Sequence, residues 1–264
     1  MSDKMDLKAS GSISVAGGEY GEVKTSASLK VNGSLKCDLL KCSGSAKIAG
    51  DLECGGKISC SGSVGVEGNL RAAEAGISGS ISVGGSLNST EYFAASGSVK
   101  VGQDLSVKEA KISGSCSVSG QIRAGELRVS GSLRAQSVEA ERLISTGGLN
   151  IAGLVNAEEM EIRVSGTSRI GDLGGSTIRV LEHDQATNIV KVFGFEINSF
   201  GGHKNGVLTV GAVEGDEVEL ECTVADVVRG RSVRIGKNCR IKRVEYTDGL
   251  LVEDSARVEE QVKV

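Results

Sequence analysis

The sequence contains no proline and no tryptophan, and its 264 residues include only 3 Tyr and 4 Phe. A compact enzyme core of this length leans on aromatic rings for much of its buried area, so the interior must be filled by small aliphatic side chains instead. No apolar run reaches the roughly 18 residues of a membrane-crossing helix. No basic segment followed by an apolar stretch opens the chain, which argues against a secretory signal and leads to the expectation of a soluble, cytoplasmic protein. The 30 basic and 34 acidic residues leave a net charge of -4, without the footprint expected for nucleic acid or an anionic membrane. Seven cysteines in such a chain read as reduced thiols rather than as a disulfide framework.

What is abundant is glycine, 38 residues of 264. Glycine with serine can mean a flexible linker, but the apolar spacing refutes that. A Ser-Gly-Ser triplet or a close variant recurs, centred on Gly11, Ala27, Gly44, Gly62, Gly79, Gly97, Gly114, Gly131, Gly147 and Gly166, at intervals of 16 to 19 residues. Four residues before each centre stand Leu7, Val23, Leu40, Ile58, Ala75, Phe93, Ala110, Leu127, Leu143 and Ile162. Four residues after stand Val15, Val31, Ile48, Val66, Val83, Val101, Val118, Ala135, Ile151 and Ile170. The position two after is apolar from Ile13 to Leu149 and becomes polar only at Ser168.

Inward residues thus come in pairs separated by one outward residue, the mark of a short strand with one buried face. Three such strands per coil of about 17 residues, joined by corners, predict an all-β fold. The architecture expected is a three-sided parallel β-helix, or β-solenoid, of about 15 coils. A second glycine column, Gly17, Gly33, Gly50, Gly68, Gly85, Gly120 and Gly153, falls where the chain must turn, and positive φ is the expected reason. Residues 1–173 read as regular coils, 174–206 as an irregular interruption and 207–264 as coils of the same solenoid. The last coils pair Val233/Ile235, Cys239/Ile241 and Val244/Tyr246, then Leu250/Val252, Ala256/Val258 and Val262/Val264. The interruption carries Phe193, Phe195 and Phe200 and both histidines, with Phe193, Phe195 and Ile197 alternating as in a strand.

Candidate chemistry is sparse. His183 sits between Glu182 and Asp184, and His203 follows two glycines. Adjacent residues on an extended chain face opposite ways, so neither histidine is assigned a role. Cys37 and Cys54 share one column of the repeat, and Cys42 and Cys60 share another. Four inward thiolates can in principle hold zinc, but the CxxC spacing is absent and buried packing is the reading adopted. The glycine pairs are not followed by Lys-Ser/Thr or by a helical pattern, so phosphate-loop fingerprints are unsupported. The serine ladder beside each centre satisfies local backbone groups and needs no ligand. No cofactor, metal or catalytic residue is expected.

A solenoid leaves its backbone unpaired at the first and last coils, and natural repeats blunt such edges with caps or proline. None is visible here, so end-to-end stacking into a filament without nucleotide is expected. The interface would involve Leu7, Ile13 and Val15 at one end and Val258, Val262 and Val264 at the other. The repeating units SGSAKIAG (43–50) and SASLKVNG (26–33) resemble those of the bactofilins, a bacterial polymer-forming cytoskeletal family. The stretches GGEYGEVKTSASLKVNG (17–33) and VVRGRSVRIGKNCRIKRVEY (227–246) resemble a Gram-positive subgroup. The resemblance implies a right-handed β-helix that polymerises through its terminal coils. It also implies a scaffold role for cell shape, envelope synthesis or motility machinery, with proteins of those systems as partners. The chain departs from that pattern in its length, its interruption, and its lack of Pro-rich tails and of a short apolar membrane-targeting start. IGKNCRI (235–241) resembles the hexapeptide unit of left-handed β-helix acyltransferases, but strict sixes are not sustained and no histidine lies in the regular coils. A ligand-binding or adhesin-like solenoid is the third reading, disfavoured by the missing secretion signal.

Overall fold

A computed structural model describes residues 4–183, 189–192, 195–198 and 206–264. Strand accounts for 77% of the chain, and the fold is a parallel β-solenoid of about 14 turns. Among the described residues there is no helix long and apolar enough to cross a membrane. The chain divides into two compact units, 1–125 and 126–264.

In the first unit each coil contributes three short strand segments. Leu39–Cys42, Ala46–Ile48 and the start of Leu52–Cys60 form one such coil. Successive coils pair in parallel, and inward residues stack into columns. One column runs Leu7, Val23, Leu40, Ile58, Ala75, Phe93 and Ala110. Within it Phe93 is fully buried between two alanines. A core of aliphatic columns accommodates one aromatic ring because its neighbours in the adjacent coils shrink to methyl groups, which conserves local volume.

The corner glycines are required for space more than for backbone handedness. A Cβ on Gly44 would lie 2.5 Å from the Ala27 carbonyl oxygen, and one on Gly79 would lie 2.5 Å from that of Gly62. Gly62 and Gly114 crowd the carbonyls of Gly44 and Gly97 in the same way, whereas Gly11 meets nothing within 4 Å. In the second glycine column only Gly33 takes a left-handed φ, at 129°. Positive φ is therefore corrected as the general reason: with coils spaced by about 4.8 Å, a methyl on Gly68, Gly85 or Gly120 would strike the side-chain oxygen of Asp51, Asn69 or Asp104 one turn away.

A further corner is held by a ladder of short polar side chains. The Ser34 hydroxyl accepts the Asp51 N–H at 3.1 Å, and the Asp51 carboxylate accepts the Asn69 N–H at 2.7 Å. Asn69 Oδ1 accepts the Ser86 N–H at 2.9 Å, the Ser86 hydroxyl that of Asp104 at 3.4 Å, and the Asp104 carboxylate that of Gln121 at 2.8 Å. Each side chain satisfies a backbone donor of the next coil where the strand ladder is interrupted.

The second unit is built from longer strands, Ser137–Val164, Thr167–Glu182, Val207–Leu220, Thr223–Ile235, Arg240–Val252 and Arg257–Lys263. Met160, Ile178, Val218, Val233 and Leu250 form one of its columns. Ser168, the polar exception in its column, is buried and its hydroxyl accepts the Leu149 N–H at 3.1 Å.

The interruption begins later than residue 174. Residues 174 and 177–182 remain in parallel register with 156 and 159–164, and Thr167 lies beside Val207. His183 donates its backbone N–H to Val164 at 3.3 Å, and Val207 donates to Gly166 at 2.9 Å. The coil is thus left after His183 and rejoined at Gly206. The sequence frame breaks early because Leu173 and Ile178 are separated by a Gly174-Gly175-Ser176 corner and no Ser-Gly-Ser follows Val180. Within the excursion Ile189–Val192 pairs antiparallel with Phe195–Asn198. Phe195 and Ile197 belong to that strand, while Phe193, Phe200 and His203 lie outside the described residues.

Candidate functional site

The coils at the two ends of the strand order differ from the rest in how their inward faces are covered. Leu7, Ile13 and Val15 are in register with Val23, Leu29 and Val31. The outer three are half-buried and the inner three are fully buried. At the other end Leu250, Val252 and Val258 are half-buried, in register with the buried Val233, Ile235 and Ile241. Among the described residues, Leu7–Ala9 pairs with Glu22–Thr25 alone and Arg257–Lys263 with Arg240–Val252 alone, so each is an edge strand. An edge strand with uncovered apolar side chains can extend both the hydrogen-bond ladder and the core.

Two expected interface residues are placed differently. Gln261, not Val262, lies in register with the buried Val244, and Val262 lies beside Glu245, although Val262 is half-buried and Gln261 exposed. Val264 is 72% exposed, beyond the last strand. A shift of one residue in a strand exchanges its two faces, and the step from Ile241 to Val244 is an odd one. Val258 keeps the inward place expected of it beside Ile241, and Leu250 and Val252 keep theirs beside Val233 and Ile235.

The four clustered cysteines form two stacked pairs, Cys37 beside Cys54 and Cys42 beside Cys60. All are buried. In the second pair the thiols cap corners: Cys42 donates to the Ala27 carbonyl at 3.4 Å and Cys60 to that of Gly44 at 3.3 Å. Thr25, one coil earlier in the same column, donates to the Gly11 carbonyl at 3.2 Å. The thiol thus replaces a hydroxyl as donor to the corner one coil away. Burial pushes the Cys60 thiol up to about 11 and those of Cys116 and Cys239 to about 12. Hydrogen bonding to Cys54, followed by burial, raises Cys37, and the same bond lowers Cys54 against the pull of burial. No group of three or more His, Cys, Asp or Glu residues converges as a metal site among the described residues. His183 is nearly buried at the mouth of the excursion.

The sequence frame did not single out the Ser34, Asp51, Asn69, Ser86 and Asp104 ladder. Its signal was available, since each stands seven residues after a repeat centre and is a short hydrogen-bonding side chain.

No family model matches the chain, and no solved structure matches it. The protein described as uncharacterized protein YhbF of Bacillus subtilis (strain 168) is 33% identical over 113 residues, 42% of this chain and 42% of that protein. Uncharacterized protein YhbE of the same organism is 32% identical over 115 residues, 43% of this chain and 44% of that protein. The chain therefore matches less than half the length of each of these curated relatives, and its similarity to them carries no assigned activity.

Proposed function

We propose that the protein is a structural scaffold that polymerises without nucleotide, by end-to-end stacking of β-solenoids through their terminal coils. The observation that carries this reading is the contrast between half-buried Leu7, Ile13 and Val15 and their fully buried counterparts one coil inward. A second copy stacked on that edge removes the exposed apolar area from water at about 25 cal/mol per Å² and pairs the edge backbone. The partly covered Leu250, Val252 and Val258 offer the same at the opposite edge. By its resemblance to bactofilins, the polymer is a cytoplasmic cytoskeletal element that organises cell shape, envelope or motility machinery.

Negative-stain electron microscopy of the purified chain across a salt series tests the reading. Filaments or end-to-end oligomers are expected, and a monodisperse monomer at every salt concentration overturns it.

A further inference from the structure

In the second unit a cleft of about 580 Å³ opens beside the corner where Glu182 leaves the coil and Gly206 rejoins it. Two of its lining residues, Arg240 and Arg257, lie directly in register on neighbouring strands. Like charges so placed repel across roughly 4.8 Å, and the cations around them are arranged otherwise. Arg229 meets Glu245 at 2.8 Å, Arg234 meets Glu253 at 3.0 Å, Lys242 meets Asp226 at 2.6 Å and Arg243 meets Glu260 at 3.1 Å. Among the described residues neither Arg240 nor Arg257 has an ion-pair partner. The Glu182 carboxylate in the cleft is occupied by Lys237 at 2.8 Å.

We propose that this cleft binds a soluble phosphomonoester, its phosphate clamped by the guanidinium groups of Arg240 and Arg257. A guanidinium fork matches phosphate oxygens bidentately, and a dianion between two stacked arginines turns their repulsion into attraction. The Ser255 hydroxyl and the Asn238 amide line the same cleft and add hydrogen-bonding capacity at its corner. Val207 and Val224, 39% and 37% exposed, also line it. They supply an apolar surface for the organic part of the ester, which is why an ester rather than bare phosphate is assigned. Stacked cations alone do not make the site: Lys30 and Lys47 stand in register on the first unit, away from this cleft.

Isothermal titration of the full chain with phenyl phosphate, inorganic phosphate and phosphatidylcholine vesicles containing phosphatidic acid tests the assignment, whatever the assembly state of the protein. Phenyl phosphate should bind saturably, one per chain, and more tightly than inorganic phosphate. Arg240→Gln and Arg257→Gln should each weaken it by about tenfold or more with circular dichroism and unfolding temperature unchanged. If one variant fails to fold, the other and the phenyl phosphate dependence of the 31P line width carry the test. Lys30→Gln with Lys47→Gln should leave binding unaltered. The proposal is overturned by absence of saturable phenyl phosphate binding, by an equal loss in the lysine variant, or by binding to phosphatidic acid vesicles without binding to the soluble ester.

Discussion

At the residue scale, one column of this solenoid core admits polar atoms where they close a backbone hydrogen bond. Thr25, Cys42 and Cys60 occupy one column and donate to Gly11, Ala27 and Gly44 respectively. Burying a carbonyl without a donor costs about 1–3 kcal/mol, and a column of hydroxyls or thiols avoids that cost at successive corners. Cys42→Thr should therefore leave the chemical denaturation midpoint near that of the parent. Cys42→Val, similar in size but without a donor, should destabilise by about 1 kcal/mol. Equal midpoints for the two variants would show that the thiol serves by volume alone.

At the element scale, the unit of construction is the corner as much as the strand. Short strands such as Ala46–Ile48 and Val64–Val66 hold only two inward residues each, so their spacing depends on the corners that connect them. Gly62 packs against the Gly44 carbonyl with no space for a methyl, whereas Gly11 has open space. Gly62→Ala must push two coils apart and should cost about 1–3 kcal/mol, the range seen when a packed site is overfilled. Gly11→Ala should stay within about 0.5 kcal/mol of the parent. Thermal unfolding followed by circular dichroism measures both, and a neutral Gly62→Ala would sink the steric account of the glycine column.

At the scale of the whole molecule, stability comes from repetition, each coil covering the inward face of its neighbour. Among the described residues, coils at the edges of the strand order have a neighbour on one side only, which is why the same residue types change from fully to half buried there. Leu7→Glu and Val258→Glu place a charge on those inward edge faces. Each should shorten any polymer, measured by light scattering and electron microscopy, with little change in unfolding temperature because the site is already partly solvated. Glu substitution at Val262, beside Glu245, should shorten it less. Equal effects at all three positions would favour lateral rather than end-to-end assembly.

The strand pairs, their columns and the parallel coil architecture were legible in the sequence because a period of two within strands and about 17 between coils leaves a direct trace in apolar spacing. The corner ladder of Ser34, Asp51, Asn69, Ser86 and Asp104 was equally periodic, but its role appears only when the next coil's N–H groups stand beside it. Three matters were decided by tertiary structure. The start of the excursion moved from 174 to beyond His183, because strand pairing between neighbouring coils carries the register through a corner that lacks the repeat triplet. The position beside Val244 went to Gln261 and not to Val262, because the pairing of these two strands holds one register throughout. The stacking of Arg240 on Arg257 beside a cleft was invisible in the sequence, since a pair separated by a full coil acquires meaning only when register makes it adjacent. Local alternation sets which residues face inward, and the pairing of coils sets which residues meet.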